Sequence, residues 1–456
     1  MGQQSRRLAE AIAQTVLNGP FAFDAIVSRL KRITPGPCLR GWKQRVARSV
    51  LDRFGEGGGV PSLFTLRQYL IDSGLLIDVE ADDFPEDWID ETETTIIRPD
   101  RVPHAVFCPR IAAFQNLGLP EWTTTRELAD WFGLTDGQLL WLSGGRRSDG
   151  KSAFERYRLK CQRSSSGKVR CLEVPRSMLK SIQRELNRDL LTRIPIHSCA
   201  HGFVPGRSIH SYVEPHVGQD VIWKTDLANF FPSITRSRIE AQFRLFGYPD
   251  AVARTLSGLM TVRQDRTKIE ELSQQFPRDQ FRDLASLLTQ SHLPQGAPTS
   301  PALANLAAYR LDCRLSGLAT KFHANYTRYA DDLTYSGGQR FQRSLDTFRV
   351  HALAIIVDEG FRNRLRKTRV MMSSRRQTVA GLVINQTQNV PREEYKTLKA
   401  ILFNCRLHGP ASQNRDGIPD FQAHLRGRIE FVRSANPERG EKLMAMFEEI
   451  EFHAET

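Results

Sequence analysis

The chain has 456 residues, 40% of them hydrophobic, and its 64 Lys plus Arg against 51 Asp plus Glu give a formal charge of +13. That length predicts roughly two to four folding units with sizeable cores, and the charge suits a polyanionic partner such as nucleic acid. No segment approaches the roughly 20 apolar residues of a spanning helix and no signal-type apolar run opens the chain, so a cytoplasmic protein without a membrane partner is expected. Cys38, Cys108, Cys161, Cys171, Cys199, Cys313 and Cys405 are widely spread and form no Cys-x-x-Cys pair, which predicts reduced thiols rather than zinc ligands or disulfides.

Residues 1 to about 75 read as helical, because Leu8, Ile12 and Val16 recur at helical spacing and Trp42, Val46 and Val50 do so again. Gly55, Gly57, Gly58 and Gly59 interrupt the pattern. From Asp78 to Asp100 the chain turns acidic, with Asp82, Asp83, Glu86, Asp87, Asp90, Glu91 and Glu93. A solvated connector is the simpler reading, and a docking face for a basic partner is the other. Thr124 followed by Glu127 fits a capping box, opening a helix whose apolar face carries Leu128, Trp131 and Phe132.

Ser164-Ser165-Ser166-Gly167 predicts a turn between strands at Tyr157 to Gln162 and Lys168 to Val174, with Arg163, Lys168 and Arg170 near its tip. Such a hairpin could supply charge-assisted bonds to a triphosphate, and on the residues alone an ordinary solvated hairpin is the simpler reading. Val221 to Thr225 is β-prone and ends at Asp226. The stretch from about 246 to 292, with Leu256, Leu259, Leu287 and Leu288, reads as helical. Asn325 to Tyr329 and Leu333 to Ser336 are rich in β-branched and aromatic residues, and Gly337-Gly338 closes the second run, so a hairpin with Asp331 and Asp332 at its turn is expected. Tyr395, Leu398 and Leu402, then Leu443, Met446 and Phe447, return to helical spacing.

Two adjacent carboxylates at a tight turn repel each other unless water or a cation intervenes. On Tyr329 to Asp332 alone a plain solvated turn is the simpler reading, and where a cation intervenes magnesium is the expected one. Asp226, at a strand end, could stand beside that hairpin. Carboxylates converging there could hold two magnesium ions, which prefer oxygen ligands and keep positions open for substrate phosphates. Two such ions stabilise the attacking and leaving oxygens of an in-line phosphoryl displacement.

DLANFFPSI from Asp226 to Ile234, LPQGAPTSP from Leu293 to Pro301, Tyr329-Ala330-Asp331-Asp332, Gly360-Phe361 with Lys367-Thr368, and Val379-Ala380-Gly381-Leu382 follow one another along the chain. In order and rough spacing they resemble the motifs of reverse transcriptases. The resemblance is to the bacterial retron enzymes, which also tend to carry a segment like Ala200-His201-Gly202-Phe203, and it covers roughly residues 105 to 450. Two departures stand out. Retron enzymes often have Asn-Ala-x-x-His where Tyr212-Val213-Glu214-Pro215-His216 stands here, and Val-Thr-Gly where this chain has Val379-Ala380-Gly381. A related defence-associated reverse transcriptase therefore stays open.

The resemblance implies an α+β right-hand polymerase: a helical N-terminal extension with acidic connector (1–104), fingers (105–220), a palm of antiparallel sheet backed by helices (221–390) and a helical thumb (391–456). No length remains for a ribonuclease H domain, so another protein would remove template RNA. It further implies an RNA-directed DNA polymerase with Mg2+ at Asp226, Asp331 and Asp332, of which Asp226 and Asp331 are the first choices for direct ligation. Phe231 matches the steric gate that excludes a ribose 2′-hydroxyl, with a core phenylalanine as the alternative, more so for Phe230. Gln295 and Tyr329 would line the nucleotide site together with Arg163, Lys168 and Arg170, and Gly296 would let the backbone approach closely. Lys367 matches a general acid toward pyrophosphate, although a solvated charge fits equally. Leu382 would position the primer end, a core leucine being the simpler account. The implied template is a dedicated structured non-coding RNA, copied from deoxynucleotides into an RNA–DNA product in antiphage defence, with room for a defence effector protein. The alternatives are a defence enzyme making simple or untemplated DNA, and a non-catalytic nucleic-acid-binding scaffold, against which the three aspartates argue.

Overall fold

The computed structural model describes residues 3–19, 21–33, 41–55, 61, 63–76, 89–90, 94–95, 107–109, 114–144, 156–163, 169–276 and 278–452. They fall into two compact units, one of residues 1–195 and 231–307, the other of residues 196–230 and 308–456.

The first unit opens with helices Gln3–Leu17, Phe23–Ile33, Trp42–Phe54 and Leu63–Asp72. Their apolar stripes meet in a core of Ile12, Val16, Ile26, Leu30, Trp42, Val46, Val50, Leu66 and Leu70, as helical spacing predicts. Buried Arg29 donates to the carbonyls of Thr15 and Val16 at 2.9 Å each, satisfying acceptors that the end of the first helix leaves open. Gly57 to Gly59, and all of the acidic stretch except the paired segments Ile89–Asp90 and Thr94–Thr95, lie outside the described residues.

Thr124 caps helix Thr125–Trp131 by accepting from the Glu127 amide, but the Glu127 carboxylate reaches one residue further back, to the Thr123 amide at 2.8 Å. The reciprocal capping box forms instead at Thr135 and Gln138. Leu128 is buried, whereas Trp131 stays half-exposed, edge-on to Trp122. Strands Tyr157–Arg163 and Val169–Pro175 pair antiparallel with Cys161 opposite Cys171. Those two sulfurs are bonded, which corrects the expectation of seven reduced thiols. The Ser164 to Gly167 turn, Lys168 and the Arg163 side chain lie outside the described residues. The predicted helical stretch is realised as Asp250–Met260, Arg266–Ser273 and Arg278–Leu288, and Ile269, Phe281, Leu284 and Leu288 pack on Val169 and Cys171 of the hairpin.

The second unit is built on a four-stranded antiparallel sheet in the order Asn325–Tyr329, Asp332–Gly337, Val221–Asp226, Arg369–Met372. Strand side chains alternate between faces. One face carries Trp223, Tyr335 and Tyr326, stacked at ring distances of 4.9 Å and covered by Phe348 of helix Gln339–Asp358. The opposite face therefore carries Asp226, Lys224, Asp332, Thr334 and Tyr329. Helices Arg392–His408, Phe421–Ala435 and Pro437–Glu448 contribute Leu398, Leu402, Leu425, Ile429, Val432 and Leu443 to a core shared with Ile222, Val379 and Leu382. Among the described residues no helix is long and apolar enough to cross a membrane.

Candidate active site

Antiparallel register sets Asp226, the last residue of its strand, directly opposite Asp332, the first residue of the next. Tyr329 also pairs with Asp332, so Ala330 and Asp331 form a two-residue turn. Ala330 adopts a left-handed φ of 55°, which an L-residue holds only when its surroundings impose it. They do so from two sides. Arg328 Nη1 donates to the Ala330 carbonyl at 3.1 Å, and Gly202 lies so close that a Cβ there would come within 2.6 Å of the Ala330 nitrogen. The Ala200-His201-Gly202 segment runs along the hairpin, the His201 amide donating to Arg328 O and the Arg328 amide to Cys199 O, both at 2.8 Å.

The carboxyls of Asp226 and Asp332 are neighbours across the strand pair and influence each other's protonation. Lys367 Nζ is 2.5 Å from Asp226 Oδ2 and Lys224 Nζ is 2.6 Å from Asp332 Oδ2. Burial raises the Asp332 carboxyl to about 7, with Lys224 opposing and the neighbouring Asp226 reinforcing the rise. Burial pushes Asp226 the same way, but the neighbouring Asp332 carboxyl, the bond from Lys367 and the charges of both lysines outweigh that and hold it low. The two carboxyls are thus coupled, with Asp226 held low and Asp332 raised. Asp332 Oδ1 is buried without a hydrogen-bond partner. The Asp331 carbonyl accepts from the Leu227 amide at 2.8 Å, and its carboxylate makes no hydrogen bond or ion pair among the described residues. The loop before Lys367 is tied to the same strand end, Arg364 N donating to Asp226 O at 2.7 Å and Ala228 N to Arg362 O at 2.6 Å.

Beneath this face, Tyr212 Oη lies 2.6 Å from Thr334 Oγ1. Fully buried His216 bridges Ser336 and Thr327 at 2.7 Å each, and burial pulls its imidazole down to about 3, so it is neutral. The histidine of the Tyr212 to His216 stretch is thus a clamp between two strands of the sheet.

The sheet gathers Asp226, Asp332 and Lys367, with Asp331 and Tyr329 at the same turn. Lys224 also belongs to the group. Its period-2 spacing from Asp226 put it on that face, and a lysine inside a strand pattern is otherwise read as solvated. Phe230 is buried against Phe361, as a core phenylalanine, and Leu382 is fully buried in the helical core. Phe231, Gln295 and exposed Arg170 belong to the first unit.

Among the described residues no three His, Cys, Asp or Glu side chains form a ready metal cage. The donors nevertheless fit a hard divalent cation. They are carboxylate oxygens, one of them buried and unpaired, and lysine ammoniums neutralise the pair at the places a cation would otherwise serve.

Residues 160–398 match the model of the family described as reverse transcriptase (RNA-dependent DNA polymerase). That sets the class: a template-directed nucleotidyltransferase of right-hand polymerase fold, in a family that generally uses divalent metal ions. The chain is 37% identical over 342 residues to the retron Mx65 reverse transcriptase of Myxococcus xanthus, covering 74% of each protein. It is 33% identical over 352 residues to the Mx162 retron enzyme of the same organism, covering 73% of this chain and 68% of that one. To the retron Ec86 reverse transcriptase of Escherichia coli it is 28% identical over 285 residues, 62% of this chain and 77% of the relative. The chain belongs to the bacterial retron-type reverse transcriptases, and its activity is RNA-directed DNA polymerisation.

Proposed function

We propose that this polymerase copies a dedicated structured non-coding RNA into DNA in antiphage defence, in the cytoplasm, with Mg2+ as its metal and a defence effector protein as a further partner. In this reading residues 1–104 are an extension, 105–220 the fingers, 221–390 the palm and 391–456 the thumb. The observation that carries it is the Asp226–Asp332 pair with Lys367 and Lys224 in contact at one end of the sheet.

Mg2+ at Asp226, Asp331 and Asp332 would supply charge stabilisation to the attacking and leaving oxygens. Lys224 keeps Asp332 in place. Lys367, about half exposed, is free to turn toward the departing pyrophosphate and give it a proton. Gln295 and Tyr329 line the nucleotide site, Arg163, Lys168 and Arg170 neutralise the triphosphate, Leu382 supports the primer end, and Phe231 excludes the 2′-hydroxyl. Phe231→Ala is expected to raise the ratio of ribonucleotide to deoxynucleotide incorporation on the order of tenfold or more, and an unchanged ratio removes Phe231 from that role.

RNA binding is expected to weaken steeply with salt, because each neutralised phosphate releases counterions. The +13 charge motivates this, with Arg426, Arg428 and Arg433 of helix Phe421–Ala435 as candidates for phosphate contact. RNA that copurifies with the protein should be one folded species, and it should outcompete random RNA at physiological salt, since shape and exposed loops dominate RNA recognition. Equal binding of both would move the reading toward untemplated synthesis.

A further inference from the structure

Within the first unit, strand Val169–Pro175 buries a carboxylate completely. Glu173 Oε2 lies 2.8 Å from His292 Nε2, and Glu173 Oε1 accepts from Gln264 Nε2 at 2.6 Å. His292 Nδ1 lies 2.7 Å from the Gln290 carbonyl. Nδ1 faces a carbonyl that only accepts and so carries hydrogen, and the Glu173 carboxyl beside Nε2 raises the imidazole above its usual range against the effect of burial, favouring an imidazolium paired with the Glu173 carboxylate. Glu173 and His292 are fully buried and Gln264 is nearly so.

Burying an ion pair carries a large desolvation cost for each charge, and apolar residues of equal volume often pack as well; the best-attested use of such groups is to fix register. The main chain shows what is held in register here. The Glu173 amide donates to the Gln295 carbonyl at 2.8 Å, and Gly296, at φ 126°, runs so close that a Cβ would meet Glu173 O at 3.3 Å. Three residues before Gln295, His292 exchanges two main-chain bonds of 2.9 Å with Val262, and the Gln264 amide bonds Leu288 O at 2.9 Å. The side-chain cluster therefore ties His292, which leads into the Leu293-Pro294-Gln295-Gly296 loop, and the Val262 to Gln264 segment bonded beside it to the strand against which that loop lies.

We propose that Glu173, His292 and Gln264 are positioning residues that fix the Gln295-Gly296 main chain and thereby set how tightly the polymerase takes its incoming deoxynucleotide. This rests on the reading of Gln295 as a nucleotide-site residue. Loosening the cluster leaves Gln295 present but displaced, so its effect falls on nucleotide binding and passes through Gln295.

The test uses the full chain on a primed homopolymer RNA template, with kcat and KM for the complementary deoxynucleotide measured for Glu173→Gln, Gln295→Ala and the double variant. Glu173→Gln is expected to raise KM about tenfold while kcat falls much less, and the double variant is expected to be no worse than Gln295→Ala alone. A purely structural role would lower the folded fraction and hence kcat, leaving KM where it was. An unchanged KM in Glu173→Gln, or penalties that multiply in the double variant, overturns the inference while the reading of Gln295 stands. If Gln295→Ala itself leaves KM unchanged, that reading fails and takes the inference with it. Should Glu173→Gln not fold, Gln264→Met, which removes one donor to the carboxylate and keeps the volume, is judged by the same criteria, with an expected rise in KM of about threefold.

Discussion

Replacing Asp331 and Asp332 together by asparagine is expected to abolish primer extension, with a loss on the order of 1000-fold or more, corresponding to several kcal/mol of charge stabilisation at the reacting oxygens. The amides keep nearly the same volume and leave the main-chain pairing of the strands untouched, so the sheet should survive. What disappears is the negative charge that Lys224 now neutralises at 2.6 Å and that a divalent cation would need. The replacement also removes the repulsion between neighbouring carboxylates at one turn, which argues against a loss of stability. The measurement is incorporation of labelled deoxynucleotide on a primed RNA template, with circular dichroism as the check on folding. Full extension by a folded double variant would remove these aspartates from catalysis.

Much of this site was legible because a strand has a period of two. Asn325 to Tyr329, Leu333 to Ser336 and Val221 to Asp226 read as strands from their β-branched and aromatic content, and Lys224, Asp226, Tyr329, Asp332 and Thr334 fall on one face in the structure, with Thr225 and Arg328 on the other. What could not be read are pairings distant in sequence. Glu173 and His292, 119 residues apart, each look like an ordinary polar residue until the fold brings them to 2.8 Å. The Cys161–Cys171 bond was missed by a narrow margin. A turn centred on Ser164 to Gly167 pairs Cys161 with Arg170, and the observed register differs from that by one residue, enough to set the two cysteines opposite each other. The Thr124 cap was recognised, but the partner of Glu127 was misplaced by one residue because the carboxylate is long enough to reach the Thr123 amide. Gly202 shows the limit of composition: its role is visible only in how near it stands to Ala330.

Asp312→Ala is expected to destabilise the sheet-bearing unit by about 3–5 kcal/mol, the usual consequence of removing one partner from a buried ion pair. Asp312 and Arg328 are both fully buried, joined by two parallel bonds, Arg328 Nε to Oδ1 at 2.8 Å and Nη2 to Oδ2 at 2.6 Å. Tyr326 Oη adds a third bond to Asp312 Oδ1 at 2.8 Å. Without the carboxylate, the guanidinium is left charged in a space lined by Tyr326 and Phe230, and the tyrosine hydroxyl loses its acceptor. The damage should extend to the reaction, since the same guanidinium holds the Ala330 carbonyl and so the left-handed residue that turns the chain toward Asp331 and Asp332. A double variant, Asp312→Leu with Arg328→Met, removes both charges and keeps the bulk. It should recover much of the stability, because no uncompensated charge remains, but not the activity, because the tie to the turn is gone. Urea unfolding midpoints and primer extension on the same three proteins separate these effects. A midpoint for Asp312→Ala equal to that of the parent protein would show that the pair does not hold the sheet, and full activity in the double variant would show that the turn keeps its shape without Arg328.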